Sequence, residues 1–155
     1  ARSFPNCIFL ENKFIYVFGG LIDCLATSNL AVERINLNEN NNCWEKLEIN
    51  SLDDGLQNIP FYTGMIMTSK DKLLILGGKQ DKESLAGNSV LSFDLKENLL
   101  QEYIEVKLPS QDEFQGKSFL KFDSNKFALF SALNPNKLYV YDEYLNSFEI
   151  KEFKL

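Results

Sequence analysis

Lys72-Leu73-Leu74-Ile75-Leu76-Gly77-Gly78 is apolar at every position between the lysine and the glycine pair. A half-exposed strand alternates apolar with polar. A strand that is apolar throughout has both faces covered. The glycine pair tolerates positive φ and close backbone approach, so the strand ends where chain segments converge. Lys13-Phe14-Ile15-Tyr16-Val17-Phe18-Gly19-Gly20 repeats the plan, and Lys126-Phe127-Ala128-Leu129-Phe130-Ser131-Ala132 varies it.

Working outward, each of these strands is preceded by another apolar run and a short polar turn. The runs are Arg2–Leu10, Phe61–Met67 and Phe114–Leu120, and the turns are Glu11-Asn12, Ser69-Lys70-Asp71 and Asp123-Ser124-Asn125. Asn, Asp and Ser are hairpin-turn residues. A third run follows each pair: Val32–Leu37, Val90–Leu95 and Leu138–Asp142. A fourth, mixing Glu and Lys with apolar residues, closes each unit: Trp44–Ile49, Glu102–Val106 and Phe148–Phe153. The spacing from Gly19 to Gly77 is 58 residues and from Gly77 to Ser131 is 54. Four short strands repeating at roughly 50 residues form the signature of a propeller blade. The expectation is an all-β chain of three four-stranded antiparallel blades, at about 1–49, 61–107 and 114–155, with little helix. A long β-sandwich explains the alternation but not the repeated plan.

These residues resemble the kelch-repeat β-propellers. In that family a strand ends in Gly-Gly, a later strand ends in an aromatic residue followed by Asp, and a Trp follows. Repeat one carries Gly19, Gly20, then Ile35-Asn36 at the aromatic-Asp position, and Trp44. Repeat two carries Gly77, Gly78, Phe93 and Asp94, with Tyr103 near the Trp position. Repeat three has Ser131-Ala132 in place of the glycines, then Tyr141 and Asp142, with Phe148 near the Trp position. The large aromatics, Trp44 among them, are expected to fill the gaps between blades. The resemblance implies a ring of six or seven blades. Three blades without polar caps leave apolar faces bare, so another segment or a second copy is expected to supply the remaining blades. The absence of an initiator Met at Ala1 points the same way.

Composition narrows the function. The net charge is −6, and such a surface repels phosphate backbones, which argues against nucleic-acid binding. No apolar run is long enough to span a bilayer, so no membrane insertion is expected. The odd cysteine count (Cys7, Cys24 and Cys43) does not describe a disulfide framework and suits a reducing compartment. Cys7 and Cys43 read as packed thiols. Cys24, in a loop, has no flanking cation to activate it. The abundant Asn and Lys reflect composition bias.

There is no histidine. Ser-His-Asp and Cys-His nucleophile systems and His-containing zinc sites are therefore excluded. Some kelch-like propellers are copper oxidases, but their histidine ligands have no counterpart here. Asp53-Asp54-Gly55 and Asp112-Glu113 lack calcium-loop spacing, and the glycine pairs are not followed by a phosphate-loop Lys-Ser/Thr. No catalytic residue, cofactor or metal is expected.

Function then falls to loops on a rigid scaffold. The resemblance implies partner contacts at loops 21–30 and 79–88 and at the inter-blade stretches 50–60 and 108–113. Gly20 to Ile35 and Gly78 to Phe93 each span 15 residues, whereas Ala132 to Tyr141 spans 9. The two longer loops carry Asp23, Lys79, Asp81, Lys82 and Glu83, which predicts a polar, salt-sensitive contact with a protein partner. The reading is a non-catalytic protein–protein interaction scaffold, cytoplasmic or associated with the cytoskeleton. The alternative is a propeller enzyme or small-molecule binder working in the central channel.

Overall fold

The computed structural model describes residues 3, 5–21, 30–40, 43–51, 56, 58–79, 90–109, 114, 119–130 and 135–154. Among these, strand accounts for 53% and helix for 1%, which makes the chain all-β. Sheet 1 contains β1 (Asn6–Leu10), β2 (Phe14–Phe18), β3 (Val32–Asn36) and β4 (Glu45–Leu47) in that order. Sheet 2 contains β6 (Gly64–Met67), β7 (Lys72–Leu76), β8 (Val90–Asp94) and β9 (Leu99–Glu102), with β5 (Asn50–Ser51) added parallel to β9. Sheet 3 contains β10 (Leu120–Lys121), β11 (Lys126–Phe130), β12 (Lys137–Asp142) and β13 (Ser147–Glu152). Every sequential pairing within a sheet is antiparallel.

Sheet 2 lies between the other two. Leu73 and Ile75 of β7, with Leu91 and Phe93 of β8, enter one core with Tyr16, Phe18 and Val32 of sheet 1. Leu74 and Leu76, with Val90, enter a second core with Phe127, Leu129, Tyr139 and Tyr141 of sheet 3. Successive strand residues point to opposite faces, so the unbroken apolar run of β7 feeds both cores. Phe18 meets Phe93 edge-on across the first core at 5.2 Å between ring centroids. Phe114 anchors the second, 5.2 Å from both Tyr139 and Phe148.

β2 was expected to be covered on both faces in the same way. Here the structure differs. Tyr16 and Phe18 are buried, but Ile15 and Val17 are only half-buried on the opposite face, where no described sheet packs. That face also carries Cys7, Ile35 and Phe9, the last 54% exposed.

Other expectations need correction. Trp44 does not fill a gap between sheets. It precedes the short β4 and is 52% exposed. Cys7 and Cys43 are exposed rather than packed thiols, because Cys7 sits on the outer face of sheet 1 and Cys43 lies ahead of β4. The fourth strand of sheet 2 is Leu99–Glu102 rather than Glu102–Val106, because the turn from β8 closes within four residues. The stretch 50–60 is not only a connector: Asn50 donates its N–H to Asn98 O at 2.9 Å, and Ile59 is fully buried in the first core.

The glycine pairs have physical work at the ends of β2 and β7. Gly19, Gly20, Gly77 and Gly78 all have positive φ. A Cβ on Gly19 would lie 3.0 Å from Ile59 O, at the approach to sheet 2. A Cβ on Gly78 would lie 2.6 Å from Phe61 O and 2.7 Å from Thr63 Cγ2.

Candidate functional site

Each sheet has two ends. The β1–β2, β6–β7 and β10–β11 hairpins and the turns after β3, β8 and β12 share one end, and the glycine pairs mark the other. The last residue of each third strand organises the turn end. Asn36 Oδ1 accepts from Asn38 N–H at 3.1 Å. Asp94 Oδ1 accepts from the N–H groups of Lys96 and Glu97 at 2.9 and 3.2 Å. Asp142 Oδ1 does the same for Tyr144 and Leu145 at 2.9 and 3.2 Å. The Asp of the repeat pattern is thus a turn-builder. Asn98 and Asn146, each four residues on, take positive φ, as Asn does more readily than most residues.

Between sheets 2 and 3 this end opens into a cleft of about 210 Å³. Ser69 and Lys70 of the β6–β7 turn form one wall, and Ser124 and Asn125 of the β10–β11 turn form another. Glu143, Tyr144 and Asn146 of the β12–β13 turn complete it. A recess of about 20 Å³ adjoins it, with Lys72, Tyr103 and Tyr141 in its lining.

Glu143 is buried at 8% exposure, and its carboxylate reaches from sheet 3 to sheet 2. It accepts from Ser69 Oγ at 2.6 Å and from Ser69 N–H at 3.0 and 3.1 Å. Asn146 Oδ1 accepts from the hydroxyls of Tyr103 and Tyr141 at 3.3 and 3.2 Å, and its amide donates to Glu105 at 2.9 Å. Burial pushes the Tyr141 phenol up, with further contributions from Tyr103 and Glu143. Burial, then the hydrogen bond to Glu105, raises Tyr103. Both phenols therefore stay protonated donors at neutral pH.

Of the residues read as partner contacts, Asp23, Asp81, Lys82 and Glu83 lie outside the described residues. Lys79 is half-buried, and its backbone bridges Phe61 at 2.8 and 2.9 Å. It stands at the glycine end of sheet 2. The cleft is at the other end, five β7 residues away, or about 17 Å. Sequence reasoning missed Glu143, Ser69 and Asn146 as a group. Their residue types were visible, but no local pattern marks a contact spanning 74 residues.

No protein-family model matches the chain, and no curated protein matches it. The fold does have solved counterparts. The structure of YjhT is similar with a TM-score of 0.68 at 11% sequence identity, a likeness that covers 99% of this chain and 51% of that one. This chain therefore spans about half the length of the structure it resembles. Among the described residues, no helix is long and apolar enough to cross a membrane.

Proposed function

We propose that this chain is a three-blade segment of a kelch-type β-propeller that acts as a non-catalytic protein–protein interaction scaffold. Its remaining blades come from another segment or a second copy. One observation carries the reading: the outer face of sheet 1 has the character of a buried face, but no described sheet packs on it. Phe9, Ile15, Val17 and Ile35 project from it, whereas Leu73, Ile75 and Phe93, the residues of sheet 2 equivalent to the last three, are buried in the core shared with sheet 1. Exposed apolar patches of this kind mark interaction surfaces. The half-length likeness to YjhT supports a body that is completed by more sheets. Exposed thiols at Cys7 and Cys43 suit a reducing, cytoplasmic setting, where a cytoskeletal assembly is one home for such a scaffold.

The test is the mass of the purified 17.8 kDa chain by light scattering, with Phe9→Glu as the probe. Self-association that Phe9→Glu abolishes, without loss of the folded strand signal, is expected. A monodisperse wild-type monomer that unfolds cooperatively with this face bare would overturn completion by a second copy.

A further inference from the structure

The polar groups of the cleft between sheets 2 and 3 are unevenly engaged. Its lining acid, Glu143, and the neighbouring Glu105 and Asp142 are taken up internally. Glu143 is held by Ser69, Glu105 accepts from Tyr103 and Asn146, and Asp142 accepts from two turn N–H groups and from Asn125. Lys70, which lines the cleft, and Lys72, which lines the adjoining recess, are not. Neither Lys70 nor Lys72 forms an ion pair with a described residue.

Comparing the sheets sharpens this asymmetry. Lys72 and Lys126 hold the same register position, opposite Asp94 and Asp142. Lys126 pairs with Asp142 at 3.6 Å. Lys72 makes no such pair with Asp94 and instead lines the recess beside Glu143. At the cleft rim, Tyr144 and Leu145 are 84% and 72% exposed, an adjacent apolar pair at the tip of a turn.

We infer that this cleft docks an acidic side chain, Asp or Glu, of a partner protein, with a neighbouring large apolar residue laid on Tyr144 and Leu145. The inference rests on the scaffold reading above and adds the partner's chemistry and the face that receives it. Acceptors already engaged offer a ligand little, and unpaired ammonium groups offer strong charge-assisted bonds to a carboxylate. The cleft, at about 210 Å³, is smaller than the ~300 Å³ lower bound of drug-sized sites, which suits a single side chain. A free anion would satisfy the lysines but leave Tyr144 and Leu145 in water, so the apolar rim favours a peptide. The Glu143–Ser69 bonds hold the two walls at a set separation, so the docking groups are positioned in advance.

The experiment titrates the isotopically labelled chain by NMR with N-acetyl-Glu-Phe-amide, N-acetyl-Gln-Phe-amide and inorganic phosphate. The Glu peptide is expected to shift the amides of Lys70, Lys72 and Tyr144 and to bind about tenfold more tightly than the Gln peptide. Lys70→Gln is expected to weaken it about fivefold or more, and Tyr144→Ala to weaken it with an unchanged melting temperature. Added salt should weaken it further. Equal binding of the two peptides, or no shift at these residues, overturns the proposal. Phosphate acting as strongly as the Glu peptide reassigns the cleft to a free anion and also overturns it. The scaffold reading fails on assembly mass and this one on the titration, so the two failures are distinguishable.

Discussion

Glu143 accepts three hydrogen bonds from Ser69, 74 residues earlier in the chain, and this is a side-chain latch between sheets 2 and 3 at their turn ends. The apolar cores hold the sheets face to face. The latch holds their ends in register and forms the back of the cleft.

Removing the latch is expected to destabilise the chain measurably. Glu143→Ala should lower unfolding free energy by about 2 kcal/mol, since it deletes charge-assisted bonds and leaves the Ser69 N–H short of an acceptor. Ser69→Ala should cost about 1 kcal/mol, because the N–H bonds survive. A double-mutant cycle in urea checks this. Additive losses would show that the two residues do not act together.

Aromatic residues of the repeat pattern are expected to differ sharply in weight. Phe93 is fully buried between sheets 1 and 2, so Phe93→Ala should cost about 3–5 kcal/mol. Trp44 is half-exposed, so Trp44→Ala should cost less than about 1 kcal/mol in the isolated chain. Denaturant melts of the two variants decide it. A large Trp44 loss would require a covering segment over that ring.

Gly78 combines a φ of 95° with a neighbour that would sit 2.6 Å from an added Cβ. Because that neighbour is the Phe61 carbonyl, which itself bridges Lys79, it has little room to retreat. Gly78→Ala should therefore cost about 2 kcal/mol or more, read as a fall in melting temperature. A neutral outcome would mean that the bridge between Phe61 and Lys79 gives way cheaply.

Acid should loosen the β12–β13 turn through Asp142. Burial would raise its pKa, but this is outweighed by backbone hydrogen bonds from Leu145 and Tyr144 and by Lys126, so the pKa lies below the ordinary 3.8. A depressed folded pKa contributes stability above the unfolded value and loses it as pH falls through the folded one. Wild-type stability should therefore decline below about pH 4, and Asp142→Asn should flatten part of that decline. Equal slopes for wild type and variant in melts from pH 6 to pH 2.5 would remove Asp142 from the effect.

Much of the fold is legible in the sequence. β7 could be read as doubly covered because each of its residues after the lysine is apolar, and the structure divides those residues between two cores. The turns were legible because Glu11, Asn12 and Asp71 sit where positive φ is needed. The strand after β8 was placed several residues late, since Leu99-Leu100 and Tyr103–Val106 are comparably apolar and only pairing with β8 selects the first.

By itself the sequence determined strand identity, the direction changes at the turns and the repeated four-strand plan. These depend on side-chain alternation and local backbone preference, which neighbours along the chain supply. Tertiary structure alone decided which face of β2 is covered and that Trp44 stays at the surface. It also decided that Ser69, Lys70, Asn125 and Glu143 meet in one cleft. Those outcomes depend on how separate sheets stack, and residues at opposite ends of a 74-residue interval carry no local mark of each other. Stacking brings the turns of two sheets to one end, and the side chains placed there then find partners that their own strands do not contain.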